Sequence, residues 1–286
     1  MTLCAGVMGF PISHSMSPRL HGYWIKKYAL DASYQAFEVR PEELMSKISS
    51  LIERENLPKD ARFRGCNLTI PLKEIIIDQI DELEDAAKII GAVNTVIIGD
   101  EGQLIGRNTD WIGFTDSLAE RVDLNRFKSS KALVLGAGGA ARGIIYALEK
   151  SGFSKIYLTN RTLLRAEALA KEFSQFPIEV IRWEDRAKNL GNIDLLVNTT
   201  SLGMSGQQRL EMPLEGLQKE AVVTDIVYSP LETELLKSAK ERGHITIDGL
   251  GMLLHQAKAG FEAWFGTRPE VDTNLRAYVL EGLGQK

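Results

Sequence analysis

"LVLGAGGAAR", residues 133–142, is an apolar run that stops at a glycine turn and resumes as an alanine-rich stretch. Gly136, Gly138 and Ala141 keep the G-x-G-x-x-G/A spacing, with strand character before them and helix character after. Each position has a mechanical reason. Gly136 permits the tight turn, Gly138 lets the backbone approach a pyrophosphate, and Ala141 lets the helix pack close to the strand. The helix start then offers N–H groups to an anion. Downstream, "KIYLTN" (155–160), "IDLLVNTT" (193–200) and "AVVTDIVY" (221–228) are short apolar runs, with helical stretches between some of them. Near-continuous apolar strands joined by helices predict a parallel sheet covered on both faces.

A dinucleotide with a free ribose 2′-OH is read by an acid at the end of the second strand, about 20 residues on. Here that strand runs into Asn160, Arg161 and Thr162, with Arg165 four residues past Arg161. A guanidinium suits a 2′-phosphate, which an acid would repel. NADP is therefore expected over NAD, with Arg161 and Arg165 on one face of the first helical turns. The plainer reading is an exposed basic pair.

Upstream the chain again alternates. "LCAGVMG" (3–9), "SYQAFEV" (33–39) and "FRGCNLTI" (63–70) read as strands, and "VNTVII" (93–98) with "QLIGR" (103–107) as a hairpin. Helices are expected from Ser17, as N-cap before Pro18, through Tyr28, from Pro41 to about Arg54, over 82–90 with Gly91 closing it, and from Asp110 to about Val122. After "HITIDGLG" (244–251) a long helix, 252–266, and a C-terminal helix follow. Boundaries are placed near 110 and 249. With 286 residues, about two domains are expected.

Composition narrows the class. Net charge is −4 with no long basic run, which argues against nucleic acid as the main partner. No apolar run approaches the ~20 residues that span a bilayer. The N-terminus does not read as a signal peptide, so a cytoplasmic location is expected. Cys4 and Cys66 have no redox or metal spacing and read as buried free thiols. Four scattered histidines offer no metal site.

Three polar stretches stand out against this frame. In "NLTIPLK" (67–73), Lys73 follows Pro71 at a helix start, where the helix dipole disfavours an ammonium. A lysine near neutrality can exchange a proton with a hydroxyl or ketone. Asp110 in "GRNTD" (106–110) stands at another helix start and can orient that lysine, although a carboxylate there also serves as a helix cap. "PISHSMSP" (11–18) carries Ser13, Ser15 and Ser17 at alternate positions, able to donate to an anion, with His14 as a competing acid/base.

These stretches, with "GFPISHSMSPRLH", "CNLTIPLK", "GAVNTV", "GRNTDWIGF", "GAGGAAR", "NRT", "NTTSLGM", "DIVYSPLET" and "DGLGMLLHQA" in that order, resemble the shikimate dehydrogenase family nearly end to end. The resemblance implies reversible NADPH-dependent reduction of 3-dehydroshikimate to shikimate in aromatic amino-acid biosynthesis. It implies a two-domain α/β fold: a substrate domain (1–109) closed by C-terminal helices (249–286), facing a Rossmann-like NADP domain (110–248) across a cleft. By motif, Lys73 and Asp110 match the catalytic pair. Ser15, Ser17 and Tyr228 match carboxylate-binding groups, and Thr69, Asn94 and Gln256, with Lys73 and Asp110, match partners of the ring hydroxyls. Asn160, Arg161, Thr162 and Arg165 match a phosphate clasp. Gly136, Ala137, Gly138, Gly139, Ala140, Ile226 and Gly249 match the other cofactor contacts. The expected partner is a small-molecule substrate, and the expected assembly a monomer or homodimer. Leu72 replaces a common aromatic or histidine, and Gly22 a common Asn. Rival readings are a quinate/shikimate dehydrogenase of relaxed choice and a catalytically silent NADP-sensing protein.

Overall fold

The computed structural model describes residues 1–55, 57–58 and 60–284. The chain forms two compact units, one of residues 1–110 and 256–286, the other of 111–255.

The first unit contains β1 (Thr2–Gly9), α1 (Ser17–Lys27), β2 (Ala32–Glu38), α2 (Leu44–Ile52), β3 (Ala61–Leu68), α3 (Leu72–Ile75), β4 (Glu82–Leu83), α4 (Asp85–Ile90), β5 (Thr95–Ile98) and β6 (Leu104–Arg107). Its sheet runs β2-β1-β3-β5-β6-β4. The pairs of β1 with β2 and β3 are parallel, while β5 is antiparallel to β3 and β6.

Several expected boundaries move, for local reasons. Ser17 is the first helical residue of α1 and Met16 the N-cap, and the helix stops at Lys27. Pro41–Glu43 form a 3-10 turn before α2. Glu82 and Leu83 are a strand rather than helix: they pair in parallel with Ile105 and Gly106, and Leu83 packs on the core. A tertiary pairing overrides helix propensity there. Helix α4 does end at Gly91, whose φ of 66° is left-handed.

The second unit opens with helix α5 (Asp110–Ala119), whose first residue belongs to the first unit. Then come β7 (Lys131–Leu135), α6 (Gly139–Lys150), β8 (Lys155–Thr159), α7 (Leu163–Glu172), β9 (Ile178–Val180), β10 (Leu195–Asn198), β11 (Val222–Asp225), α8 (Glu234–Glu241) and β12 (Ile245–Ile247). Strand β9 is not among the sequence expectations. The order β12-β11-β10-β7-β8-β9 is all parallel. Counted from β7, that is the doubly wound order with a switch point between β7 and β10. Alternation covers both faces, as expected. Ala132 and Val134 enter one core with Ile144 and Leu148 of α6. Leu133 and Leu135 enter the other with Leu235 and Leu236 of α8.

Helix α9 (Gly249–Phe265) starts three residues earlier than expected and is followed by α10 (Thr273–Gly282). From Gln256 on, this segment packs on the first unit. Trp264 donates its indole N–H to the Val96 carbonyl at 3.0 Å. Gly65, at φ 139°, makes room for it: a Cβ there would lie 2.6 Å from the indole nitrogen. Trp24 of α1 donates to the Glu270 carbonyl at 2.9 Å.

His21 lies inside this aromatic core. Its ring stacks on Tyr34 with centroids 3.9 Å apart, and neither ring nitrogen has a partner among the described residues. Burial lowers its pKa to about 3. A histidine that stays neutral when folded contributes stability that is complete above the unfolded pKa near 6.5. That contribution is lost as pH falls from there toward 3. By about pH 4.5 the loss is ~3 kcal/mol. His21→Phe should therefore lose less stability than wild type between pH 7 and 4.5 in urea titrations. Equal losses would refute the burial-driven shift.

Candidate active site

Lys73 is aimed by the core behind it. After β3 ends at Leu68, Thr69 donates its backbone N–H to the Met8 carbonyl, and Leu72 N–H closes a turn on the Thr69 carbonyl at 2.8 Å. Pro71 is the N-cap of the single helical turn α3, not its first residue. Leu72 and Ile76 are fully buried. The Lys73 side chain between them meets Asp110, with Nζ 2.5 Å from Oδ2. Only 16% of the lysine side chain and 6% of the aspartate side chain are exposed. Leu72, where the family resemblance shows another residue type, serves as core filling.

Asp110 is held by the segment before it. Asn108 donates to the Ala92 carbonyl at 2.9 Å and accepts from Asp110 N–H at 3.1 Å. Thr109 N–H donates to Asn94 Oδ1 at 2.8 Å, and Asn94 Nδ2 donates to Asp110 Oδ1 at 2.8 Å. Gln256, from α9, accepts from the Thr109 hydroxyl at 3.4 Å. Asn94 and Gln256 thus meet at Thr109, and Asn94 links them to Asp110 and through it to Lys73. Thr69 lies just past the end of β3 and is half-buried.

Ser15 and Ser17 lie at the entrance to α1. Ser15 Oγ accepts the Ser17 N–H at 3.4 Å. Its own proton has no acceptor among the described residues. Ser17 is buried. His14 is exposed. Tyr228 belongs to the second unit, where burial raises its pKa.

In the second unit the glycine turn sits at the switch point. Gly136 has φ 110°, and a Cβ on it would fall 2.6 Å from Thr199 Oγ1, at the end of β10. Gly138 is the N-cap of α6 with no capping side chain, and a Cβ there would meet nothing within 4 Å. Ala137, Gly139 and Ala140 complete the turn. Uncapped amides under an open backbone surface suit a pyrophosphate, so these residues fit a dinucleotide. Asn160 donates to the Thr162 carbonyl at 2.9 Å, bending the chain after β8. Arg161 and Arg165 are exposed. Arg161 precedes the N-cap Thr162, so it does not share a helical face with Arg165 as expected; α7 starts only at Leu163. Two exposed guanidiniums around one turn still suit a phosphate.

Asp225 heads the stretch "DIVYSPLET", but sequence reasoning gave it no role. It is buried and accepts from Asn198 Nδ2, Val227 N–H and Thr233 Oγ1 at 2.8–3.0 Å, which ties the end of β10 to Val227 and Thr233. Burial pushes its pKa up to about 6. Gly249 N–H donates to the Val227 carbonyl at 3.3 Å. Cys4 and Cys66 are buried and unpaired. No group of three potential metal ligands exists among the described residues, and no described helix is long and apolar enough to cross a membrane.

A doubly wound sheet with a glycine turn at its switch point, in a chain whose other α/β unit bears a lysine–carboxylate pair, defines the class of two-domain dinucleotide-dependent α/β oxidoreductases. Residues 7–96 match the shikimate dehydrogenase substrate binding domain, 117–250 the shikimate/quinate 5-dehydrogenase family, and 249–274 the shikimate 5′-dehydrogenase C-terminal domain. The chain belongs to the shikimate dehydrogenase family. It is 48% identical over 276 residues to the shikimate dehydrogenase (NADP(+)) of Paramagnetospirillum magneticum, covering 96% of this chain and 97% of that one. A Thermus thermophilus shikimate 5-dehydrogenase, solved with NADP(H) and shikimate, is 36% identical, covers 99% of both chains and has a TM-score of 0.81. The quinate dehydrogenase of Corynebacterium glutamicum, solved with NAD, is 28% identical with a TM-score of 0.88, covering 98% of this chain and 99% of that one. The same fold thus carries a second substrate and cofactor, and the choice rests on side chains.

Proposed function

We infer that the chain catalyses the reversible NADPH-dependent reduction of 3-dehydroshikimate to shikimate. The observation that carries this is the Lys73–Asp110 contact, a candidate proton-transfer pair in a chain that belongs to the family of NADP-dependent shikimate dehydrogenases. Bound NADPH supplies the hydride. Lys73 gives a proton to the substrate's C3 oxygen in reduction and takes it back in oxidation. Asp110 holds the lysine in place and Asn94 holds Asp110. Thr69, Asn94 and Gln256 bind the ring hydroxyls together with the pair. Ser15, Ser17 and Tyr228 hold the carboxylate. Residues 136–140, Ile226 and Gly249 line the dinucleotide. Asn160, Arg161, Thr162 and Arg165 surround the 2′-phosphate, a group NAD lacks. Residues 1–110 and 256–286 would form the substrate domain and 111–255 the cofactor domain, so Asp110 falls on the substrate side and the start of α9 on the cofactor side, unlike the boundaries expected from sequence.

The test is turnover. Purified protein given shikimate and NADP should raise nicotinamide absorbance, and a silent NADP-binding protein would bind the dinucleotide without turnover. Ser15 is the anion donor whose proton no described residue takes. Ser15→Ala should remove ~1.5–3 kcal/mol of binding to a charged group. If ground and transition states share that bond, KM for shikimate rises and kcat is nearly kept. An unchanged KM would place the hydroxyl away from the carboxylate.

A further inference from the structure

Five buried side chains of the first unit form a line of hydrogen bonds ending at Asp110. The Tyr34 hydroxyl donates to Asn67 Oδ1 at 2.6 Å. Asn67 Nδ2 donates to the Asn94 carbonyl at 3.0 Å and to Thr95 Oγ1 at 3.1 Å. Thr95 Oγ1 donates to Asn94 Oδ1 at 3.0 Å, and Asn94 Nδ2 donates to Asp110 Oδ1. Tyr34, Asn67, Thr95, Asn94 and Asp110 are all less than a tenth exposed.

The polarity of this line is set by chemistry. An ionised carboxylate only accepts, so Asn94 must present its NH₂ to Asp110. The Thr109 backbone N–H only donates, and it meets Asn94 Oδ1, which agrees. Thr95 therefore donates forward to that oxygen and accepts from behind. What it accepts is the Asn67 NH₂, whose second proton goes to the Asn94 carbonyl, a pure acceptor. Asn67 is left with its oxygen facing Tyr34, so the tyrosine donates. No member can be reversed without setting donor against donor or acceptor against acceptor in a buried place. Tyr34 stands on β2, two strands from Asn67 on β3, and Asn67 is the cross-strand partner of Thr95 on β5. The line spans four strands of the sheet to reach one carboxylate.

We propose that Tyr34, Asn67 and Thr95 are positioning residues for the reaction. They fix the Asn94 amide so that its NH₂ holds Asp110 Oδ1, which leaves Oδ2 aimed at Lys73. Among the described residues, none of the three has a hydrogen bond to Lys73. The proposal rests on the role given to Lys73 and Asp110 above.

The test uses shikimate oxidation by the full-length protein. Thr95→Val keeps shape and removes the relay hydroxyl. It should lower kcat about tenfold, the loss expected when one hydrogen bond in a coupled site is broken. Thr95→Ser restores the hydroxyl and should return kcat to within about twofold of wild type. Tyr34→Phe should lower kcat about fivefold. Because both variants break one line, the double variant should fall no more than about twofold below Thr95→Val alone. KM for NADP should be unchanged throughout. The proposal is overturned if Thr95→Val stays within twofold of wild type, if serine does no better than valine, or if the double variant shows the product of the single losses. Should Thr95→Val not fold, Tyr34→Phe decides: an unchanged kcat overturns the proposal. Lys73→Ala separates the two claims. If it retains activity, the reading of the pair fails; if it is inactive while Thr95→Val is normal, only the relay fails.

Discussion

Lys73→Ala is expected to lower kcat by ~10²–10⁴-fold, the range for removing a general acid–base group, with a much smaller change in shikimate binding. The geometry gives the reason. The lysine is carried on one helical turn whose flanking residues, Leu72 and Ile76, are fixed in the core. Its ammonium meets a carboxylate that is itself clamped by an amide. Binding of the substrate is shared among several hydroxyls and amides, whereas the proton step has one donor. Removing Lys73 also leaves Asp110 buried without its counter-ion, which destabilises a fold. Tm is therefore measured alongside, and kcat compared at a temperature where both proteins are folded. A variant with near-normal kcat would remove Lys73 from the chemistry and turn attention to Asp110 or His14.

Arg161→Ala should act on the cofactor alone. Arg161 is exposed just before the N-cap of α7, at the end of the second strand of a doubly wound sheet. A lost charge-assisted contact of ~1.5–3 kcal/mol corresponds to roughly 10–150-fold in kcat/KM for NADP. NAD has no 2′-phosphate and loses only what stacking on the adenine contributes, under about tenfold by cation–π magnitudes. Arg165, three residues into the turn of α7, should show a smaller loss in the same direction. The check is the NADP/NAD ratio of kcat/KM before and after substitution. Equal losses for both cofactors would make Arg161 a surface arginine of general effect.

The glycine turn is legible in the sequence because its spacing has a geometric cause at each position. The all-parallel sheet follows likewise from apolar strands with no polar face. Lys73 and Asp110 are each recognisable as polar residues at helix starts, but 37 positions separate them. Spacing alone does not say that they meet; the family motifs do. Other features have no local signal. Glu82 and Leu83 carry helix propensity and become a strand because β6 offers a free edge to pair with. Thr95 reads like any β-branched strand residue, and Tyr34 like any aromatic one. Their importance lies in which neighbours their hydroxyls meet, across strands brought together only by the sheet order. Arg161 falls outside the helix that its spacing from Arg165 implies, since the Asn160 side chain bends the chain before that helix begins.

The most direct measurement of the central claim is kcat/KM for wild-type protein with each of shikimate and quinate, paired with each of NADP and NAD. Shikimate with NADP should give the highest value, and exchanging NADP for NAD should lower it. A higher kcat/KM with NAD would contradict the phosphate clasp at Arg161, and a higher one with quinate would contradict the substrate assigned to the Lys73–Asp110 site.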